Sequence, residues 1–404
     1  MPATKSRAIR PARRTDGIKY AIRDIVLLAE EVARTGKQLL NLNIGDPNLF
    51  DFAPPAHMLD AVQKAMRDNH NGYAPSSGIK PALDAVRREA GRKGIRNIQH
   101  VFITSGASEA IELALTALVD PGDNVLTPAP GYPLYTAVLS KLDVVNRPYF
   151  LDETNDWQPD IDDIAAKIDD RTRAIVLINP NNPTGSIYSR DTLERLCELA
   201  ERHNVVIFSD EIYDKLAMDG VTHVSTAAVN TDAKVITFNG LSKGYVVPGF
   251  RIGWGVVSGP ADELSDYCGA IGKLERARLS ANHPEQYAIQ PALEGPQTHI
   301  PEMMARLTRR RDIINTRLNA IPGISCVKPS GAFYAFPRID LGIPDTEFVT
   351  RVLRETGVVL VPGSGFGQKP GTQHFRLVFL PQDDVLTRAM DHIAAVAQSV
   401  RASK

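Results

Sequence analysis

Hydrophobic and polar positions along the chain follow two periods, and the periods change over in a regular order. Between Asp16 and Gly36 the apolar residues Ile18, Ile22, Ile25, Val26, Leu28, Ala29 and Val32 recur at helical spacing, with Gly36 a natural stop. A short strand over 39–44 runs into the turn residues Gly45-Asp46-Pro47-Asn48, and helices over 55–69 and 80–91 flank a polar loop that holds Tyr73. From there strand and helix alternate. Strands are predicted over 101–104, 124–127, 144–149, 174–178, 205–208, 234–238 and 252–257, with helices over 107–119, 132–140, 161–168 and 190–203 between them. Such alternation builds a mostly parallel sheet sandwiched by helices, the α/β class.

Helical patterns over 261–279, 284–293 and 301–320 follow. Beyond Pro322-Gly323 the texture changes to short strands, a helix over 345–356 and a closing helix over 383–400, which marks a second, smaller α+β domain. The expected division is an N-terminal arm and joining segment (1–54), a large domain (55–320) and a small C-terminal domain (321–404), and a chain of 404 residues suits two cores.

Composition narrows the partners. Apolar residues make up 43% and charged residues 23%, as in a soluble globular protein with a large core. A formal net charge of -1 offers no general attraction to nucleic acid or to an anionic membrane, which leaves small molecules as the expected partners. Cys197, Cys268 and Cys326 are odd in number and far apart, so neither a disulfide framework nor a Cys-x-x-Cys metal site is expected. With no apolar run of about 18 residues, a membrane span is not expected and a cytoplasmic setting is. Lys5, Arg7, Arg10, Arg13 and Arg14 precede the first acid, Asp16. Broken by Pro2 and Pro11, this segment reads as a flexible arm packing on a partner subunit rather than as a transit peptide.

Chemistry concentrates at strand ends. In a largely parallel sheet, ligands bind beyond the carboxyl ends of the strands. A single lysine, Lys243, follows the strand 234–238 after a break at Asn239-Gly240, and Arg251 opens the next strand. A lysine amine able to form a Schiff base, with an arginine nearby for a phosphate, is the minimum equipment of a pyridoxal phosphate enzyme; a solvated lysine and a strand-end arginine would give the same pattern. Ser105-Gly106-Ala107-Ser108 closes a strand and opens a helix, so its free N–H groups suit a phosphate as well as an ordinary N-cap. The segment 179–185 carries two Asn-Pro steps, rigid enough to aim an Asn side chain into a crevice. Asp210 ends an apolar run and Tyr213 follows it; a carboxylate there is costly without a cation, and a protonated pyridine nitrogen would suit, as would the role of a helix cap. Arg376 lies inside the apolar run 375–379, where a planar guanidinium wants a bidentate carboxylate, a substrate's or an internal one. Gly363-Ser364-Gly365-Phe366-Gly367 is not followed by a helix and reads as a loop, not a dinucleotide fingerprint.

In this combination and order the residues resemble the class I and II aminotransferases, pyridoxal phosphate enzymes of the fold type I superfamily. The matching motifs are Asn43-Ile44-Gly45-Asp46-Pro47, the segment 179–185, Asp210 with Tyr213, the segment 242–251, and Phe375-Arg376, spanning nearly the whole chain. The resemblance implies that Lys243 carries pyridoxal 5'-phosphate and shuttles the proton, that Asp210 pairs with the pyridine nitrogen, and that Tyr213 and Asn182 contact the ring oxygen. It gives the phosphate to Arg251, Ser105, Gly106 and Ala107, the ring face to Tyr132, and the substrate α-carboxylate to Arg376, with Gly45 and Asn182 also at the substrate. Tyr73 resembles a residue that reaches the phosphate of a neighbouring subunit, which implies a homodimer with shared active sites. Many members have a serine three residues before the lysine, where this chain has Gly240; that phosphate hydrogen bond is then either missing or supplied by Ser242.

Tyr20-Ala21-Ile22-Arg23, Pro130-Gly131-Tyr132-Pro133-Leu134 and Pro248-Gly249-Phe250-Arg251 resemble more narrowly the bacterial glutamate-pyruvate (alanine) aminotransferases. That implies alanine/pyruvate and glutamate/2-oxoglutarate as substrate pairs, with Tyr20 and Arg23 in the substrate site. Arg23, or failing that Arg278, would pair with the second carboxylate of glutamate, although a surface position fits either. The same cofactor residues would also serve an aspartate or broad-range aminotransferase, or a C–S lyase. A cofactor-sensing transcription regulator would need a DNA-binding domain, for which the N-terminal arm is too short.

Overall fold

The computed structural model describes residues 9–18 and 21–403, the side chains of residues 21–24 excepted. After a two-residue strand β1 (Leu40–Asn41), one eight-stranded sheet carries the centre of the molecule. Its strands are β2 (Ile98–Ser105), β3 (Asn124–Ala129), β4 (Val145–Asp152), β5 (Gln158–Pro159), β6 (Thr172–Ile178), β7 (Val206–Asp210), β8 (Val235–Gly240) and β9 (Ile252–Ser258). The order across the sheet is β2-β9-β8-β7-β6-β3-β4-β5. β4, β3, β6, β7 and β8 are parallel to one another, whereas β9 is antiparallel to both β8 and β2, so β2 points with the parallel set.

Successive side chains of a strand face opposite ways, and here each face buries its own core. Ile175, Leu177, Ile207 and Val235 pack on one side with Leu193, Leu196 and Cys197 of the helix Arg190–Arg202. Ala174, Val176, Ile178, Phe208 and Ile236 pack on the other with Ala110, Ile111 and Ala114 of the helix Ala107–Thr116. The near-continuous apolar runs of β6 and β7 are therefore what a two-faced central strand needs.

Two elements differ from the sequence reading. The predicted helix over 284–293 is two pieces, His283–Gln286 and Ile289–Glu294, because Pro291 cannot donate into a continuous helix but fits a first turn, where amides have no partner. Asn239-Gly240 does not break the strand. Both residues pair with Trp254 and Gly253 of β9, and the turn starts only after Gly240.

Toward the C-terminus, Tyr334–Ala335, Val361–Pro362 and Phe375–Val378 form a small antiparallel sheet. β1 pairs in parallel with Val358–Val359, so the chain's early segment is laid against its late one. Among the described residues no helix is long and apolar enough to cross a membrane, and no group of His, Cys, Asp and Glu could hold a metal ion.

Candidate active site

The reversed strand β9 decides what meets at the sheet edge. Its first residue lies beside the last residue of β2, with Ile252 paired to Ser105, so Arg251 comes to the same rim as the carboxyl ends of the parallel strands. Asp210 ends β7, Lys243 follows β8, and Asn182 follows β6 on the loop after Ile178. A cavity of about 460 Å³ opens over this edge, and Asp210, Tyr213, Lys243, Arg251, Asn182 and Arg376 all line it. Gly45, Ala107, Tyr132 and Ser242 are also in its wall.

Glycine is required where the wall is thinnest. Gly106 precedes the helix Ala107–Thr116 at φ 82°, and a Cβ there would lie 2.3 Å from Arg251 Nη2. The guanidinium is thus held against the helix start, and it donates to the Ser105 carbonyl at 3.4 Å and to the Pro248 carbonyl at 3.2 Å. The Ser105 amide donates to Glu109 Oε2 at 2.6 Å, which closes the first turn. The remaining helix-start amides and the arginine make a positive corner suited to an anion.

At the other side, Lys243 Nζ donates to the Gly45 carbonyl at 2.8 Å. Removal from water pulls the amine down to about 8; Asp46 opposes the shift, and the cations Arg376 and Arg251 add to it. Asp210 is only 4% exposed. Burial pushes its carboxyl up to about 6, against the restraining hydrogen bonds of the Ile212 amide and the Tyr135 hydroxyl, each at 3.3 Å. Arg376, 1% exposed, donates to Asn182 Oδ1 at 3.1 Å and to the Asn43 carbonyl at 2.5 Å, with its guanidinium 4.7 Å from the ring centres of both Tyr334 and Phe366.

Two of the sequence candidates stand elsewhere. Tyr73 is 83% exposed and does not line the cavity. Arg278 is also outside it: its guanidinium faces Glu109 at 3.5 Å and donates from Nη2 to the Ile103 carbonyl at 2.7 Å, while its buried Nε and Nη1 find no hydrogen-bond partner among the described residues. Tyr20 lies outside the described residues, as does the side chain of Arg23. Conversely, Tyr334 and Tyr135 do not stand out in the sequence, because an aromatic residue in an apolar run reads as core. Only the three-residue spacing of Tyr132 and Tyr135 hints at the second, and the helix itself begins after Tyr132, at Leu134.

Residues 37–393 match the family model for aminotransferase class I and II. The chain is 41% identical to an alanine aminotransferase of Mycobacterium tuberculosis, covering 98% of this chain and 94% of that one. It is also 41% identical to the glutamate-pyruvate aminotransferase AlaA of Escherichia coli, covering 96% and 97%. Among solved structures, an alanine aminotransferase from Pyrococcus furiosus superposes with a TM-score of 0.93 at 43% identity, covering 96% of this chain and all of that one. Sequence and fold agree along almost the entire length, and the chain belongs to the class I and II aminotransferases, enzymes that depend on pyridoxal phosphate.

Proposed function

We propose that the chain transfers the amino group of alanine to 2-oxoglutarate, giving pyruvate and glutamate, with pyridoxal phosphate seated over the sheet edge. The observation that carries the reading is a lysine amine drawn down to about 8 in the same cavity as a buried carboxylate short of positive charge. The cofactor fits that set. Two long hydrogen bonds leave the Asp210 charge under-compensated, which a protonated ring nitrogen remedies, and the corner at Gly106 and Arg251 suits a phosphate. The activities for which the bacterial and archaeal relatives are named support alanine as the donor.

When bound, the cofactor supplies an aldehyde that condenses with amines and a ring that takes up the electrons of a breaking Cα–H bond. The rest is done by the chain. Arg376 grips the α-carboxylate as a planar fork and so fixes which substituent of the α-carbon stands perpendicular to the ring. Lys243 Nζ, an amine that burial draws down to about 8, would be the base that takes the α-proton and the acid that gives it back. Asp210 would hold the ring-nitrogen proton, Tyr213 and Asn182 would donate to the ring oxygen, Tyr132 would cover the ring, and Arg251 with the helix start, helped by Ser242, would hold the phosphate. Arg23, or failing that Arg278, is the arginine assigned to the second carboxylate of glutamate.

The same reading makes the molecule a homodimer, with Tyr73 reaching the partner's phosphate. In support, Tyr73 stands on a loop tied to Ser280 and His283, with Leu279 exposed beside it. It keeps the division at 54/55 and 320/321, for which the pairing of β1 with Val358–Val359 speaks. Mixing purified protein with pyridoxal phosphate, alanine and 2-oxoglutarate should yield pyruvate. Lys243→Ala should lower turnover by about 10²-fold or more and should retain no cofactor after borohydride reduction and denaturation. A variant that kept both properties would overturn the assignment.

A further inference from the structure

Tyr334 touches three parts of the cavity at once. Its hydroxyl is 2.9 Å from that of Tyr213, and its ring lies 4.7 Å from the Arg376 guanidinium. A methyl group on Gly45 would come within 2.2 Å of the Tyr334 oxygen, so the hydroxyl packs directly on the residue whose carbonyl accepts from Lys243. Both tyrosines are buried, at 3% and 4% exposure, and their rings meet edge to face.

A phenol has one proton to give, so two phenols side by side share one O–H and leave the other to point elsewhere. We propose that Tyr334 is a positioning residue: it donates to Tyr213, turning the Tyr213 proton into the cavity toward the cofactor's phenolic oxygen, while its ring keeps Arg376 flat for the α-carboxylate. This rests on pyridoxal phosphate lying in the cavity as proposed above. Burial holds the Tyr213 phenol well above its ordinary range, so it acts as a donor and not as a phenolate. A hydrogen bond accepted from Tyr334 polarises the Tyr213 O–H and makes it the stronger donor. Among the described residues the charged and titratable groups around the pair include Lys243, Asp210, Asp46, Tyr132, Arg251 and Arg376, and Tyr334→Phe leaves all of them in place.

The test is a pH titration of the visible absorbance of the holoenzyme without substrate. Tyr334→Phe should raise the midpoint by the equivalent of about a three- to ten-fold change in proton affinity. In a Tyr213→Phe background the same substitution should do nothing, because the effect passes through the Tyr213 hydroxyl. KM for alanine should stay within about two-fold in Tyr334→Phe and rise about ten-fold in Tyr334→Leu, where the ring over Arg376 is gone. An unmoved midpoint in Tyr334→Phe, or an equal shift in both backgrounds, overturns the inference alone. A parent protein that takes up no cofactor overturns it together with the function on which it rests.

Discussion

Asp210 is a residue at which stability and function pull in opposite directions. Its carboxyl sits near 6 against an ordinary 3.8, so between those values the folded chain binds the proton that the unfolded chain has released. Stability therefore falls as pH climbs through that window. The contribution is fully present below about pH 4, and by the time pH has passed about 6 some 3 kcal/mol of it is gone, at roughly 1.4 kcal/mol for each pH unit crossed. Asp210→Asn has no such proton to lose. In the cofactor-free protein it should be more stable than the parent by about 1–3 kcal/mol at pH 7.5, with a smaller difference at pH 4, as read by urea titration. A gap that did not change with pH would show that no such cost exists. The position of Asp210 was legible because an acid ending an apolar run is conspicuous; its neighbour Tyr135 was not, since nothing in the sequence says that a buried phenol turns toward it.

At the scale of the elements, β8 and β9 are drawn together by glycines. A Cβ on Gly240 would stand 2.6 Å from the Ile252 carbonyl, and one on Gly253 would stand 2.2 Å from the Ala107 amide. This explains why the strand runs on through Asn239-Gly240 although that pair favours a turn: the dipeptide preference is local, and the close approach of β9 is not. It also bears on the serine that many related enzymes carry three residues before the lysine. Gly240→Ser should not restore a phosphate contact here; it should cost about 1–3 kcal/mol and leave cofactor affinity unimproved, as checked by thermal melting and a cofactor titration. Gly253→Ala pushes on the helix start itself, so it should weaken cofactor affinity more than Gly240→Ser does. The alternation of strands and helices was readable along the whole large sheet, whereas the reversal of β9 was not, because hydrophobic periodicity carries no direction.

For the molecule as a whole, what the sequence could not convey was which distant groups would claim an arginine. Arg278 is set by the fold 3.5 Å from Glu109, yet two of its guanidinium nitrogens find no hydrogen-bond partner among the described residues, so it stays a candidate for a substrate carboxylate beside Arg23. With Arg23 as the first candidate, Arg23→Ala should impair turnover of glutamate at least ten-fold more than that of alanine, since only glutamate has a second carboxylate to lose; equal losses would remove Arg23 from the site and leave Arg278. On the proposed shared site, Tyr73→Ala should lower cofactor affinity in a protein that still sediments as a dimer, and a monomeric parent would refute the sharing. One further consequence lies in the place of β9, which enters the sheet between β2 and β8 although it is the last of the eight strands in the chain. During synthesis the corner at Gly106 must wait for a residue made 145 positions later, so a ribosome-bound chain stopped before Arg251 has the lysine and the helix start but lacks the guanidinium that completes the corner. The positive corner is thereby finished only when the sheet is completed from within.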